Sequence, residues 1–250
     1  MRRGQILLIT VMILATVLTV VLSVSFRSIT EIQVTKLEEE SQKALAAAEA
    51  ALEAALRAAD GSATIGTGSL SDITGFSGSA NLDTTTKNDF TSTTINKDGA
   101  YTFYLGSYDL ATHKIGASLT ESIDICFKSA STNPALEITL IKTSGLKKYV
   151  VDPDSRITNA SSPSLLCSRD NSYNYSYTIP GADIGADGQL LIIKSLYQGG
   201  KLYFSRSSNL PLQGKTINSE AASTTGGVSK KITLFQSYPQ IPSEFFNTTF

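Results

Sequence analysis

Hydrophobic positions follow two different patterns along this chain. Residues 6–26, ILLITVMILATVLTVVLSVSF, contain no charged side chain. A helix of that length spans about 30 Å, which matches the hydrocarbon thickness of a bilayer. Residues 27–59 are charged and alanine-rich without Gly or Pro, and Asp60-Gly61 supplies a stop signal. The pattern therefore predicts one continuous helix over residues 5–59, about 80 Å long, with its membrane span at residues 6–26.

The outer half of the predicted helix carries a stripe at helical spacing. Its members recur in steps of four and three, which places them on one face: Leu37, Ser41, Leu45, Ala48, Leu52 and Leu56. We expect the lower end of this stripe to pack against the chain's own head and the upper end against neighbouring subunits. A coiled-coil dimer stalk is the alternative, although the stripe is short and alanine-rich for that purpose.

Beyond the helix the composition changes twice. Residues 60–89 are rich in Gly, Ser, Thr and Asn and contain few hydrophobic residues. This composition is typical of an extended, partly ordered connection, and disorder is the alternative. Residues 90–250 then form the β-rich head, whose short alternating runs predict strands. These runs are 90–95, 101–105, 122–128, 136–140, 149–151, 174–179, 190–196, 201–204 and 232–238.

The strand pattern sets the expected fold class. The first two runs flank Asn96-Lys97-Asp98-Gly99, which predicts a β-hairpin with a Gly-containing turn. We expect an α+β protein in which the long N-terminal helix precedes an all-β antiparallel head of about eight or more strands. A sandwich and a folded meander are both compatible with this pattern.

The charged residues bear on the class of partner and on the orientation of the chain across the membrane. The chain of 250 residues has 21 Lys and Arg against 22 Asp and Glu, a net charge of −1. Because its basic residues are scattered, no nucleic-acid partner is predicted. Arg2 and Arg3 precede the apolar run, and the positive-inside rule therefore predicts a single-pass protein with a cytoplasmic N-terminus and an extracellular head.

The basic segment 1–4 leaves three interpretations of the apolar run. A signal peptide cleaved after Ser23-Val24-Ser25 is one, but the run is long for that role and helical patterning continues across the site. A simple signal anchor is another. The third is a prepilin leader, cut after Gly4 by a membrane peptidase so that Gln5 becomes the N-terminus of an assembling helix. This last interpretation accounts for the basic segment, the glycine and the continuing helix together.

Residues 4–56 combine three features: the Gly4-Gln5 junction, the sequence RSITE at 27–31 and the sequence AAAEAAL at 46–52. Together they resemble the N-terminus of the PilX-type minor pilins of type IV pili. The resemblance implies a pilin-like fold, with other pilin subunits, the lipid bilayer and a prepilin peptidase as partners. Major pilins carry glutamate at the fifth mature position, where this chain has Ile9. PilX-type proteins commonly lack that acid, which favours a minor subunit.

Candidate chemistry in the head is sparse. Asp183 and Asp187, in the sequence DIGADG, are a weak candidate for calcium. Their spacing is not that of an EF-hand and the distal glutamate is missing, so a turn between strands explains the motif equally well. His113 is the only histidine, and the sequence contains no nucleophile elbow or phosphate-binding loop. We therefore expect no enzymatic activity and no cofactor.

Two cysteines and a row of tyrosines complete the candidate sites. An oxidising exterior permits a Cys126–Cys167 disulfide, while two buried free thiols are the alternative. Because Cys126 alternates with the apolar residues of its strand, we expect a disulfide to lie across an outer face. Tyr173, Tyr175 and Tyr177 recur at period two. They either stack on a sugar ring or pair across strands, and pairing is favoured.

These features predict a non-catalytic, minor pilin-like subunit. It is expected to sit in the cell membrane first, and then to be incorporated into or to cap a type IV-like pilus, with a structural, assembly or adhesion role. The alternative is a membrane-anchored extracellular β-sandwich that binds a ligand such as carbohydrate and does not assemble. An anchored hydrolase is a third, weaker class.

Overall fold

The computed structural model describes residues 3–58, 60–128 and 132–242. The chain divides into two compact units, each made from two segments. The helix unit comprises Met1–Asp83 and Thr216–Leu234, and the sandwich unit comprises Thr84–Lys215 and Phe235–Phe250. The residues from 90 to 250, expected to form one head, are therefore shared between the two units.

Regular structure covers most of the described residues. The helices are α1 (Arg3–Arg57), α2 (Gly181–Ile184) and a 3-10 turn (Gly68–Leu70). The first strands are β1 (Ser62–Thr64), β2 (Phe76–Asp83), β3 (Asp89–Thr91), β4 (Ala100–Tyr104), β5 (Tyr108–Asp109), β6 (Lys114–Ile115), β7 (Ile123–Phe127) and β8 (Ala135–Lys142). The others are β9 (Gly145–Val151), β10 (Ser164–Leu165), β11 (Tyr175–Ile179), β12 (Gly188–Leu196), β13 (Leu202–Ser205), β14 (Gly214–Ser223) and β15 (Ser229–Ser237).

In the helix unit, the second half of α1 packs against an antiparallel sheet of order β1-β2-β14-β15. The contact is made of small residues. Buried alanines of α1 face Ala80 of β2 and Ala221 of β14, together with Ile217. Ser219 lies within this contact, and its Oγ donates a hydrogen bond to the carbonyl oxygen of Ala48 at 2.6 Å. Short side chains let the helix approach the sheet closely.

Gly78 shows how closely β2 and β14 approach each other at this contact. Gly78 lies opposite Ala221 in the β2–β14 ladder. Its φ is +154°, and a Cβ there would lie 2.0 Å from the carbonyl oxygen of Glu220. Because the neighbour is backbone, no side-chain rotation can relieve that clash, and only glycine fits.

The buried face of α1 differs from the predicted stripe. The face against the sheet consists of alanines: Ala44, Ala47, Ala48, Ala51 and Ala55. Leu37, Leu45 and Leu56 retain 51%, 40% and 36% of their accessible surface. Of the predicted stripe, Ala48 is fully buried and Leu52 is half-buried against the same cluster. The prediction was wrong for Leu45 and Leu56 because it weighted leucine above alanine, whereas this contact requires side chains small enough to bring the two backbones together.

The stretch 60–89, which the composition predicts as a connection, holds β1, the 3-10 turn and β2. β14 also lies outside the predicted strands. β2 and β14 read FSGSANLD and GKTINSEAAS, and Ser, Gly, Ala and Asn give little intrinsic strand signal. These strands depend on packing against α1, so the local sequence does not reveal them.

The sandwich unit contains two main sheets. One has the order β10-β11-β7-β13-β3 and the other β4-β12-β8-β9, and the strand pairs within both are antiparallel. Both sheets contribute large side chains to one core. Phe103 of β4 stacks on Phe204 of β13 with ring centroids 4.3 Å apart. This unit is the layered antiparallel β-structure expected of the head.

Within the sandwich unit, the alternation of apolar and polar residues correctly predicted which face of a strand is buried. It did not correctly predict which strands are neighbours. Ile123, Ile125 and Phe127 are buried together, as their spacing predicts. The predicted hairpin between runs 90–95 and 101–105 is wrong, because β3 pairs with β13 while β4 pairs with β12. The intervening turn does form, and Gly99 N–H donates to the carbonyl oxygen of Asn96 at 2.9 Å. It connects the two sheets of the sandwich instead of joining neighbours in one sheet.

Candidate functional site: the exposed helix and the sites of the head

The first half of α1 exposes an unusual amount of apolar surface. Every described side chain from Leu8 to Glu39 is exposed, and those as far as Phe26 are predominantly hydrophobic. The helix from Leu8 to Arg57 contains a window of mean hydropathy 2.5, none of it buried within the protein. Apolar surface of this extent needs lipid or protein to cover it. This segment is a candidate membrane anchor.

Two threonine hydroxyls within the apolar half bond to the helix itself. The hydroxyl of Thr16 donates to the carbonyl oxygen of Ile13, and that of Thr19 to the carbonyl oxygen of Thr16, both at 2.8 Å. Such bonds remove the cost of placing a hydroxyl in hydrocarbon. An ion pair between Arg27 and Glu31, at 3.0 Å, lies just beyond the apolar run.

The outer half of α1 exposes a mixed surface. Lys43 pairs with Glu39 at 2.6 Å and Arg57 with Glu53 at 2.5 Å, on the faces that the alanines leave free. The hydrogen bond from Lys43, reinforced by its charge, lowers the pKa of Glu39 below its usual value. The exposed leucines lie among these charges, so the surface of this half is both apolar and polar.

The predicted leader junction lies at the start of α1. The helix begins at Arg3, so Gly4 and Gln5 are both helical in the uncleaved chain. Met1 and Arg2, the remaining residues of the predicted leader, lie outside the described residues.

The two aspartates proposed for calcium each contact lysine. Asp183 Oδ1 lies 2.5 Å from Lys147 Nζ, and its Oδ2 accepts a hydrogen bond from the hydroxyl of Tyr149 at 2.8 Å. Asp187 Oδ2 accepts a hydrogen bond from the hydroxyl of Ser144, and its Oδ1 lies 3.0 Å from Lys142 Nζ. These hydrogen bonds and positive charges hold the pKa of both carboxyls below the usual range. The aspartates act as partners of lysines, and no cluster of three or more metal-binding side chains occurs in the part of the chain described.

The two cysteines form a disulfide, with the Cα atoms of Cys126 and Cys167 5.8 Å apart. Its position differs from the expectation in one respect. Cys126 does alternate with the core residues of β7, but that face is covered and both cysteines are buried. Tyr173 and Tyr203 complete a small cluster over the bridge, with their rings stacked 5.4 Å apart. The disulfide is therefore part of a second, smaller core.

The predicted tyrosine row is divided by the structure. Tyr175 and Tyr177 lie on β11 and pack against the main core, Tyr175 beside Phe127 and Tyr177 beside Tyr149. Tyr173 precedes the strand and belongs to the disulfide cluster. Tyr175 therefore makes the aromatic pairing across strands that periodicity favours, whereas Tyr177 packs on Tyr149 of the other sheet. Tyr173 does not share their face.

A buried charged loop was not identified from sequence. The Asp152 carboxylate accepts hydrogen bonds from the backbone N–H groups of Asp154, Arg156 and Ile157 and from the Arg156 guanidinium, at 2.6–3.1 Å. The Arg156 guanidinium also lies over the ring of Tyr197, 4.1 Å from its centroid. Burial tends to raise the pKa of Asp152, but these hydrogen bonds outweigh it and leave the pKa lowered. The sequence Asp152-Pro153-Asp154 was the available signal.

The comparisons with known proteins give no relative for this chain. No protein-family model, no curated protein and no solved structure matches it.

Proposed function

We propose that this chain is a minor pilin-like subunit. It is inserted by α1, cut between Gly4 and Gln5, and then incorporated into a type IV-like filament or placed at its tip. The observation that carries the proposal is the division of one unbroken helix. Its first half exposes apolar side chains along its length, and its second half is bound into the helix unit.

The firm attachment of α1 to its sheet favours assembly over simple tethering. A tether needs only a span and a flexible connection, because the outer domain functions independently of the anchor. Here the alanine face of α1 forms part of the core of the helix unit. A helix that leaves the membrane would therefore carry this sheet with it, as a filament subunit requires.

The exposed residues on the outer half of α1 supply contacts for neighbouring subunits. Leu37, Leu45 and Leu56 lie away from the alanine face and keep much of their surface exposed. In a filament, helices of adjacent subunits would cover these leucines together with the apolar half. Partner subunits would thus replace lipid as the apolar environment of α1.

The sandwich unit has the properties of an outward-facing domain in this proposal. It has its own core and a buried disulfide, which suits an oxidising exterior. The same properties support the second candidate function, a membrane-anchored binding module. The two differ in whether the N-terminus is processed and whether the chain leaves the membrane.

Determination of the mature N-terminus by intact mass tests the proposal in a host with a prepilin peptidase. Two matched variants distinguish the cleavage sites. Gly4→Leu blocks a cut after Gly4 and leaves the small-residue site near Ser25 intact, while Ser25→Leu does the reverse. The proposal predicts a chain beginning at Gln5 for the wild type and for Ser25→Leu, and an uncut chain for Gly4→Leu.

Two other N-termini would contradict the proposal. A wild-type chain that begins at Phe26 would identify a signal peptide and remove the membrane helix from the mature protein. A wild-type chain that keeps Met1 in the presence of the peptidase would support the anchored binding module. In either case the filament proposal is wrong.

A further inference from the structure

Strand β4 is an edge strand of the sandwich unit. Its partner in the four-stranded sheet is β12, and the ladder runs from Tyr104 opposite Leu190 to Ala100 opposite Lys194. Successive residues of a strand direct their backbone groups alternately toward the partner strand and away from it. The backbone N–H and C=O groups of Thr102 and Tyr104 point away from β12, as their hydrogen bonds to side chains outside the sheet show.

Two glutamine side chains bind this edge. The N–H of Tyr104 donates to Gln213 Oε1 at 2.8 Å, and Gln213 Nε2 donates back to the carbonyl oxygen of Tyr104 at 3.0 Å. Thr102 makes the same exchange with Gln240, at 2.8 Å and 3.3 Å. A side-chain amide has the donor and acceptor of a peptide group. Each glutamine therefore satisfies the edge as one residue of an adjacent strand would.

Both amides are held by their own neighbourhoods. Gln213 is buried, and its Nε2 also donates to the carbonyl oxygen of Pro211 at 2.9 Å. Gln240 Nε2 is shared with Ser237 Oγ at 2.9 Å and with the carbonyl oxygen of Tyr238 at 3.1 Å. The N–H of Tyr238 in turn donates to the carbonyl oxygen of Gln213 at 3.0 Å. The two glutamines are thus linked through the chain segment that carries Gln240.

That segment also contacts β4 through side chains of the strand. The hydroxyl of Tyr104 donates to the carbonyl oxygen of Pro239 at 2.7 Å, and the N–H of Ile241 donates to Thr102 Oγ1 at 3.0 Å. The residues 238–241 therefore lie along β4 without forming a strand of the sheet. They cover the edge while offering no new edge of their own.

The strand itself explains why such a cover is needed. Residues 100–105 read AYTFYL, an uncharged run of mainly β-forming and aromatic residues without proline. Runs of this kind pair readily with other strands when their edge is free. The opposite edge strand of the same sheet, β9, carries the exposed lysines Lys147 and Lys148, a common natural protection. β4 has no charged residue in that role.

A second copy of this chain is the strand that fits best. Antiparallel pairing of β4 with β4 of another copy, centred on Phe103, places Thr102 opposite Tyr104 of the other copy. The outward-facing groups of these two residues are the ones that the glutamines now occupy. Such a pairing would form two reciprocal hydrogen-bonded pairs, with uncharged side chains on both sides.

We infer that Gln213 and Gln240 prevent β4 from pairing with β4 of a second copy of this chain. The β4 edge is thus a surface for self-association, and these two glutamines block it in the single chain by occupying its backbone groups. This inference concerns the sandwich unit alone and does not depend on the filament proposal.

Amide hydrogen exchange on the full chain in detergent micelles tests the inference, using Gln213→Ala with Gln240→Ala. At low protein concentration we expect the amides of Thr102 and Tyr104 to exchange about tenfold faster, because each loses the one hydrogen bond that protects it. At high concentration we expect protection to return and the protein mass per micelle to double. Gln33→Ala, an exposed glutamine on α1, should match the wild type in both measurements.

Two further variants keep the test decisive. Gln240 is exposed, so Gln240→Ala alone should leave the core amides of β7 protected and accelerate exchange at Thr102 but not at Tyr104. Gln213→Glu with Gln240→Glu places like charges along the edge and should remain a single chain at every concentration. Rapid exchange in the double alanine variant at all concentrations, with unchanged mass, would overturn the inference. So would unchanged protection of Thr102 in Gln240→Ala.

Discussion

The helix unit and the sandwich unit bury opposite kinds of side chain. In the helix unit the buried residues of α1 and most of those that face it from the sheet are alanines, with Ile65, Leu70 and Ile217 as the larger buried side chains. In the sandwich unit the core is built from phenylalanine, isoleucine and leucine. The first arrangement gains contact through close approach of backbones, and the second through the volume of side chains. The two units should therefore fail in opposite ways.

The difference leads to a simple rule for mutation. A buried alanine removes little apolar area from water, so truncating it changes little, whereas enlarging it separates the helix from the sheet. A buried phenylalanine behaves in the reverse way, because its removal leaves a cavity. The following substitutions are ordered by the size of the expected effect on the free energy of unfolding.

Truncation of Phe204 should have the largest effect. Phe204→Ala removes a fully buried ring that stacks on Phe103 and should lower the free energy of unfolding of the sandwich unit by about 3–5 kcal/mol. Native-state hydrogen exchange at β12 amides measures this loss. Phe235→Ala, at a ring that is 37% exposed, serves as the control and should lose less than half as much. Equal losses would show that the sandwich core does not depend on side-chain volume.

Removal of the disulfide should have the second-largest effect on the free energy of unfolding. The bridge joins residues with a sequence separation of 41, so Cys126→Ser with Cys167→Ser should cost about 4 kcal/mol in the loop-entropy model. Denaturant unfolding of the oxidised wild type and the variant provides the comparison. A loss below about 1 kcal/mol would mean that the unfolded chain is already constrained in this region.

Enlargement within the helix unit should have an intermediate effect. Ala51→Leu adds volume where the α1 side chain is fully buried, and should cost about 1–3 kcal/mol through overpacking. Ala46→Leu, at an exposed position of the same helix, should change stability by less than about 0.5 kcal/mol. Exchange rates of the amides at residues 44–55 measure both. A tolerated Ala51→Leu would contradict the close-approach account.

The charged loop at Asp152 should contribute a comparable amount of stability, and this contribution depends on pH. Its pKa is lowered in the folded protein, so the stabilisation is present above the ordinary value of 3.8 and is lost as pH falls through the lowered pKa. Asp152→Asn should cost about 1.5–3 kcal/mol at pH 7. Denaturant unfolding from pH 7 to pH 2 should show a shallower decline for Asp152→Asn than for the wild type. Parallel curves would exclude Asp152 as a source of the pH dependence.

The exposed leucines of α1 should matter least for folding. Leu45→Ser should change the free energy of unfolding by less than about 0.5 kcal/mol, because Leu45 contributes little to the buried alanine face. Thermal unfolding of the full chain in detergent tests this expectation. A loss above about 2 kcal/mol would restore the predicted leucine stripe as the packing face.

The same contrast explains how much of the fold could be predicted from sequence. Alternation in β7 and β8 gave the core faces of the sandwich, because large apolar residues recur at period two. It did not give the partners of β3 and β4, since pairing depends on the whole sandwich. The strands β2 and β14 escaped prediction because their small residues carry a signal only beside the alanines of α1.

The candidate sites also divide into features that the local sequence predicts and features that depend on residues distant in sequence. The apolar run up to Phe26 predicted an exposed helix, because its length and lack of charge are sufficient evidence. The disulfide could be proposed from compartment, but its cover by Tyr173 and Tyr203 could not, since the covering residues are distant in sequence. The lysines that hold Asp183 and Asp187 likewise come from the β8–β9 hairpin, which sequence spacing does not connect to them.

A photo-crosslinking experiment tests most directly the proposal that this chain is a filament subunit. Benzoylphenylalanine in place of Val20, an exposed position of the apolar half, reports what covers α1, and the same group at the exposed turn residue Lys97 serves as the control. We predict that filaments sheared from intact host cells contain adducts between position 20 and other helix-bearing subunits, with few or none from position 97. Adducts with lipid alone, in a chain that remains entirely in the membrane fraction, would contradict the account.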